Sequence, residues 1–409
     1  MNTPFENLPA PPARRLAVKV KPAAERALRN EHPWIYDEAI VSQNAEGAAG
    51  SLAIIFDRKK DKFLAAGLYD PHSPIRIKVL QFHKPAVIDA RWMAGKIEQA
   101  FERRRPLLET ETNSYRLLYG ENDGLPGLVA DVYDQVLVLK LYSFIWLPYL
   151  RDVLMPALRV SRCSVAVLRL SRLLQQRPKE LFGLQDGQVL YGELADSRVV
   201  FREHGIRFSA DVVHGHKTGY FLDHRHNRKR VGEMAQGKKV LDVFAYAGGF
   251  SVHALAGGAR EVVSLDISEQ ALEMAKHNAA LNEVSGTHRT LPGDAFEQME
   301  ELKKSGEQFD IVVVDPPSFA KRGSEQERAL QAYQRLAVLA APLVAPGGML
   351  LMASCSSRVP APLFFEKVLH SLPTGHHFTE EDRTEHDIDH PIGFPEGAYL
   401  KAIYLRKAK

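Results

Sequence analysis

From Val240 onward the chain alternates short apolar runs with segments of helical period, and this alternation limits the fold more than any other feature. The runs are Val240–Phe244, Glu261–Asp266, Phe309–Asp315 and Gly348–Ser354; helical patterns start at Ser251 and span 268–282 and 324–341. Runs this rich in Val, Ile and Leu suit strands covered on both faces, which is how parallel sheets are built. The pattern predicts a doubly wound, Rossmann-like α/β domain over residues 199–409, with its ligand site at the carboxyl ends of the strands.

The first 198 residues read differently. Residues 1–13 carry four prolines and no periodicity, and form a loose tail. Leu16–Val20, Leu52–Phe56 and the alternating Ile75–Leu80 predict a small, mostly β domain over 14–83. A helical pattern at 86–108, dense turn residues from Gly120 to Gly127, and strands at Leu128–Tyr133 and Val136–Leu141 predict a central α+β domain over 84–198. With 45% apolar and 25% charged residues the chain can build real cores, which excludes disordered, collagen-like and coiled-coil classes. No apolar run approaches the roughly 18 residues needed to span a bilayer, and no secretory signal pattern opens the sequence, so the expected address is the cytoplasm. Two cysteines, Cys163 and Cys355, cannot supply a disulfide framework.

Net charge is +3, but residues 1–110 hold 18 Lys/Arg against 13 Asp/Glu, whereas residues 201–409 hold 25 against 27. The amino-terminal excess, including Arg14-Arg15, Arg58-Lys59-Lys60, Arg76 and Lys78, suits a polyanion or simply a solvated surface.

Chemistry concentrates in the α/β region. Asp242 ends the first strand, and the loop Phe244-Ala-Tyr246-Ala-Gly248-Gly249 precedes the helix. Asp266 ends the next strand, 24 residues later, where a carboxylate can bind ribose hydroxyls. The glycines lack the G-x-G-x-x-G spacing of a pyrophosphate site, and an acidic residue at the loop repels phosphate. A cofactor with an ammonium and no phosphate, S-adenosylmethionine, fits instead, with Asp294 placed to accept from an adenine amino group. Asp315-Pro316-Pro317-Ser318-Phe319 follows a buried strand, and its prolines stiffen a loop that can present an aspartate to a flat base. Cys355, among Ser354, Ser356 and Ser357 after another apolar run, is the candidate nucleophile, whereas Cys163 reads as a structural thiol. His214–Arg230 is the densest cationic stretch and interleaves bases with rings, as an RNA contact would; no metal is expected there.

These residues also carry a resemblance. Glu203-His-Gly, His214-Gly-His-Lys-Thr-Gly-Tyr-Phe-Leu-Asp-His-Arg, Phe244-Ala-Tyr-Ala-Gly-Gly-Phe, Asp315-Pro-Pro-Ser-Phe, Ser354-Cys-Ser and Pro395-Glu-Gly-Ala-Tyr-Leu-Lys resemble the RlmI-type cytosine-5 methyltransferases of bacterial large-subunit ribosomal RNA. His32-Pro-Trp-Ile-Tyr and Tyr69-Asp-Pro-His-Ser-Pro-Ile-Arg resemble that family's PUA domain, and Gly120-Glu-Asn-Asp-Gly-Leu-Pro-Gly-Leu its central domain, so the likeness runs from residue 14 to the end. The resemblance implies a class I methyltransferase domain in which Asp242 and Gly248 line the methionine end of S-adenosylmethionine, Asp266 the ribose and Asp294 the adenine, with Phe244, Tyr246, Ile267 and Asp315 completing the pocket. It implies Cys355 as the nucleophile and Asp315 as its partner at the base. Arg76, Lys217, Arg225, Arg228, Pro316 and Phe319 are the expected substrate contacts, 23S ribosomal RNA or its precursor is the expected partner, and a homodimer is left open. Two departures bear on the target nucleotide: 168–183 lacks an Asp-Arg-Ser type sequence, and His224 stands where the family usually has glutamine.

The chemistry of the base supports the same reading, since carbon 5 of cytosine becomes nucleophilic once a thiolate adds to carbon 6. Two rivals remain: an amino or ring-nitrogen methyltransferase, which also uses aspartate-proline-proline-aromatic loops and needs no thiol, and a non-catalytic ribosome-assembly factor.

Overall fold

A computed structural model describes residues 5–409 apart from Lys321, Thr374 and His376. The chain divides into two compact units: residues 1–201 with 209–222 and 388–397, and residues 202–208 with 223–387 and 398–409.

The first unit holds two sheets. The strands Leu16–Val20, Trp34–Tyr36, Ile40–Gln43, Leu52–Phe56, Phe63–Tyr69 and Ile75–Phe82 form a six-stranded, largely antiparallel sheet. Leu16, Val18 and Val20 point to one side by strict alternation and meet Ile35, Ile55 and Ile77 in its core. The second sheet has five strands, Ser114–Tyr119, Leu128–Tyr133, Val136–Leu141, Val165–Leu170 and Val189–Tyr191, with helices Ala90–Leu108 and Leu150–Ser161 against it. Asp89 caps the first of these helices by accepting from the Trp92 amide.

The second unit is built on a seven-stranded sheet. Its strands are β1 (Lys239–Val243), β2 (Glu261–Asp266), β3 (Thr287–Pro292), β4 (Phe309–Val314), β5 (Val344–Ser354), β6 (Phe378–Thr384) and β7 (Lys401–Lys407). They lie in the order β3-β2-β1-β4-β5-β7-β6. The first five are parallel, and β7 runs antiparallel between β5 and β6. Helices α1 (Arg225–Met234), α2 (Gly249–Ala256), α3 (Glu269–Ala280), α4 (Ala295–Lys304), α5 (Gln326–Leu343) and α6 (Ala361–Ser371) complete the unit. This is the α/β domain that the alternation predicts. Its central strands β1 and β4 are almost wholly buried, as covering both faces requires.

β6 escapes the sequence reading because its residues do not form an apolar run. β6 is Phe378-Thr-Glu-Glu-Asp-Arg-Thr, a mostly exposed edge strand whose charges guard the sheet against further pairing. Parallel order brings the carboxyl ends of β1, β2 and β4 side by side, with chain order reversing across β1 and β4, so the site belongs there.

Candidate active site

Asp242 is buried (1% exposed) near the end of β1. Its Oδ2 accepts from the Ser251 amide (3.0 Å) and hydroxyl (2.6 Å), so the first turn of α2 is tied to the strand. Oδ1 has no hydrogen-bond partner among the described residues. Burial pushes this carboxyl up to about 7, with Asp315 and Asp266 adding to the effect and the Ser251 bonds opposing it. A buried acceptor left over in this way marks a place for a cation or donor from outside the chain.

The loop between β1 and α2 is held in an unusual conformation. Phe244, Tyr246 and Gly248 all have positive φ, at 66°, 48° and 77°. A side chain on Gly248 would bring its Cβ within 2.7 Å of the Ala275 Cβ, so the close approach of α2 to α3 requires glycine. Asp266 braces the loop: its Oδ2 accepts from the Tyr246 amide (2.9 Å) and its Oδ1 from the Ser268 amide (2.9 Å). Beside it Ile267 is 74% exposed, an apolar side chain against which a flat ring can lie. Asp294 is exposed and caps α4 through Oδ1, which accepts from the amides of Phe296 and Glu297.

Asp315 follows β4, and its amide donates to the Val243 carbonyl (3.3 Å). Pro316 is buried, while Pro317 and Ser318 are exposed and Phe319 packs edge-on against Tyr333 with ring centres 5.3 Å apart. Cys355 leaves β5 half-buried, its Sγ 3.7 Å from Asp315 Oδ1. The thiol loop is anchored from both sides. Ser356 Oγ donates to the Ala320 carbonyl (3.3 Å), and the buried Lys401 ammonium on β7 donates to the carbonyls of Ser356, Val359 and Tyr399. Three carbonyls solvate a lysine that burial nevertheless depresses to about 8.

His224, where the family usually has glutamine, sits beside both the thiol and the aspartate. It is 3% exposed, with Nε2 3.7 Å from Cys355 Sγ and 3.4 Å from Asp315 Oδ1. The three donor atoms lie within 4.8 Å of one another. No sequence periodicity signals this contact, because 131 residues separate His224 from Cys355.

Two expected RNA contacts need correction. Arg225 is fully buried and donates to Asp387 (3.1 Å), and Arg228 is held bidentate by buried Glu203 at 2.7 Å on both bonds. Burial would raise the Glu203 carboxyl, but Arg228 and His253, which lies 2.9 Å away, hold it far below the carboxylate range. Guanidinium groups spent on buried carboxylates are not offered to phosphates; these two arginines are an internal framework. Arg76 likewise donates to the carbonyls of Asp70 and Pro71 and pairs with Asp37 (3.5 Å). Lys217 is exposed, with its ammonium 5.2 Å from the centre of the Phe221 ring, and belongs to the first unit. Cys163 is buried, and burial pushes its thiol up to about 11.

Residues 174–406 match the family described as S-adenosylmethionine-dependent methyltransferase, and residues 18–82 match a PUA-like domain. A protein of Deinococcus radiodurans named ribosomal RNA large subunit methyltransferase is 47% identical over 406 residues, covering 97% of this chain and 99% of its own. One of Tolumonas auensis named ribosomal RNA large subunit methyltransferase I is 37% identical over 388 residues, covering 93% and 97%. The chain belongs to this methyltransferase family. A solved methyltransferase chain complexed with SAH superposes with a TM-score of 0.80 over 96% of this chain and 99% of its own, at 19% identity, and shares the fold. S-adenosylmethionine is the cofactor of the family, and the residues here fit it: an unpartnered buried carboxylate oxygen for an ammonium, a glycine where a Cβ would clash, and an exposed Ile267 beside Asp266. No helix among the described residues is long and apolar enough to cross a membrane.

Proposed function

We propose that this methyltransferase forms 5-methylcytosine in large-subunit ribosomal RNA, with Cys355 as the nucleophile. The observation that carries the reading is the half-buried Cys355 thiol at 3.7 Å from Asp315, at the carboxyl edge of β4 and β5 and beside the cofactor loop. Nitrogen methylation needs no thiol there. Asp242 and Gly248 hold the methionine end of the cofactor, Phe244 and Tyr246 wall it, Asp266 takes the ribose, and Ile267 and Asp294 take the adenine. S-adenosylmethionine supplies an electrophilic methyl group. Cys355 adds to carbon 6 of the base, and Asp315, protonated when the base is bound, donates to ring nitrogen 3 and stabilises the enamine that accepts the methyl at carbon 5. Pro316 and Pro317 keep the aspartate rigid, and the base leaves its stack to reach it. The relatives' names supply the RNA class, and the PUA-like domain with exposed Lys217 supplies RNA-binding surface.

Cys355→Ala should abolish methyl transfer and leave cofactor affinity within about twofold, because the thiol acts on the base. RNA carrying 5-fluorocytosine at the target should trap the wild-type enzyme covalently and leave the variant free. Full activity in Cys355→Ala would move the assignment to nitrogen chemistry.

A further inference from the structure

To act as a nucleophile the Cys355 thiol must lose its proton, and a free thiol near pKa 8.5 is only about 3% ionised at pH 7. The side chains behind His224 bear on this. Its Nδ1 lies 3.1 Å from the Asn227 amide nitrogen, and both residues are buried. Asn227 Oδ1 in turn accepts from the Tyr404 hydroxyl (2.8 Å) and the Thr384 hydroxyl (2.8 Å). In this arrangement the imidazole proton sits on Nε2 and points at Asp315 and Cys355. Turning the amide over by half a turn gives a second arrangement with equal numbers of bonds. Oδ1 then accepts from Nδ1–H, and the two amide hydrogens go to the two hydroxyl oxygens, which can accept as well as donate. Now Nε2 presents a lone pair to the sulfur. Asn227 therefore supports either tautomer of His224, and also the doubly protonated ring, without leaving either residue unpaired.

We propose that His224 is the base that takes the Cys355 proton, and that Asn227 is the positioning residue that permits it by reversing its amide. The S–H bond breaks, its electron pair stays on sulfur, and the proton is held on Nε2. The sulfur then bonds carbon 6, and after methyl transfer the carbon 5 proton leaves to water as the sulfur–carbon bond breaks. The pair returns to Sγ, which recovers its proton from Nε2.

The charges facing His224 favour its protonated form. Burial alone would lower the His224 ring, but Asp315 and Asp223 outweigh it and lift it above its ordinary value, with Arg228 opposing. Asp223 is fixed by the Tyr399 hydroxyl (2.7 Å), and the Lys401 ammonium lies under the thiol loop. Phe250 stacks edge-on against the ring at 5.6 Å and shields it. A Cys-His-Asn set of this kind also activates the nucleophile of papain-like proteases.

The proposal rests on the reading of Cys355 as the reacting thiol, but its test needs neither RNA nor cofactor. Iodoacetamide alkylation of the intact protein is followed at Cys355 by peptide mass spectrometry from about pH 5.5 to 9.5, where thiolate reactivity titrates. The wild type should show an inflection about one to two pH units below that of a free thiol, and His224→Gln, which cannot hold the proton, should return it to about 8.5 or above. Asn227→Asp, which accepts from Nδ1–H, should keep the low inflection, whereas Asn227→Leu should lose it. A merely structural role would not separate these two. If replacement at 224 unfolds the protein, carbon-13 titration of His224 decides: Cys355→Ser should lower its midpoint by about one unit or more, since the thiolate is its partner. Equal inflections in wild type and folded His224→Gln, an unchanged His224 midpoint in Cys355→Ser, or Asn227→Asp behaving as Asn227→Leu would overturn the proposal. Should Cys355 prove dispensable for methyl transfer while these shifts appear, the base reading stands and the cytosine-5 reading fails.

Discussion

Replacing Asp242 by Asn should make the ligand-free protein more stable at pH 8 while weakening cofactor binding. The carboxyl titrates near 7 when folded against 3.8 for an ordinary one, and at 1.36 kcal/mol per pH unit the difference is about 4 kcal/mol. Because the folded value is raised, the native state binds the proton more tightly than the unfolded chain. Stability therefore falls as pH rises from about 4 to about 7, and the full cost is present above that range. Asparagine removes the charge. It also places an amide hydrogen where Oδ1 has no partner, which costs about 1–3 kcal/mol. The net gain at pH 8 is about 1–3 kcal/mol; at pH 5 only about 1.6 kcal/mol of the cost has developed, which the unpaired amide hydrogen cancels, so the variant gains about nothing. The three tryptophans, Trp34, Trp92 and Trp146, all lie in the first unit, so fluorescence does not report on this site. Hydrogen exchange of the β1 and α2 amides at the two pH values does. A variant less stable than wild type at pH 8, or a gain of equal size at pH 5, would refute the reasoning; saturating cofactor should restore the advantage to wild type.

Asp266→Ala should weaken S-adenosylmethionine binding by roughly 10- to 150-fold, from the loss of charge-assisted bonds to ribose and of the brace on the Tyr246 amide, as calorimetry on the folded variant would measure. Glu203→Gln strands the Arg228 charge inside the second unit and should destabilise by about 3–5 kcal/mol, seen as faster exchange in α1; an effect below about 1 kcal/mol would show that water reaches the pair. Lys401 is depressed, so its burial destabilises the fold below about pH 8 and stability should climb as pH rises from there toward 10.5. Lys401→Met should flatten that climb in exchange of the β5 amides and lower turnover by loosening the Cys355 loop.

Much of the α/β core was legible because its strands are buried on both faces. Val240–Phe244, Glu261–Asp266 and Phe309–Asp315 match β1, β2 and β4 to within a residue at each end. β3, Thr287-His-Arg-Thr-Leu-Pro, was not legible, since an edge strand of a parallel sheet has no reason to be apolar. Phe63–Tyr69 was hidden for the opposite reason: buried along most of its length, it shows no alternation. At the site, carboxylates that follow strands could be found from position alone, as with Asp242, Asp266 and Asp315. The histidine beside the thiol could not, because nothing local distinguishes His224 from His226, two residues on in the same basic stretch. The same stretch misled on Arg225 and Arg228, whose acidic partners Asp387 and Glu203 lie 162 and 25 residues away. Charge density along a sequence counts side chains without saying which carboxylates the fold will bring to them.

The position of β7 has a consequence for how the enzyme is made. This strand comes after β6 in the chain but lies inside the sheet, between β5 and β6, and it carries the lysine that ties down the carbonyl after Cys355. During synthesis the nucleophile and its aspartate emerge long before Lys401 does, with β5 lacking its antiparallel neighbour. The thiol loop cannot settle until the final strand threads into place, so a nascent or prematurely terminated chain carries the chemical groups of a catalyst without their arrangement. Competence arrives in one late step, and a frameshift between Cys355 and Lys401 is as disabling as the loss of the cysteine itself.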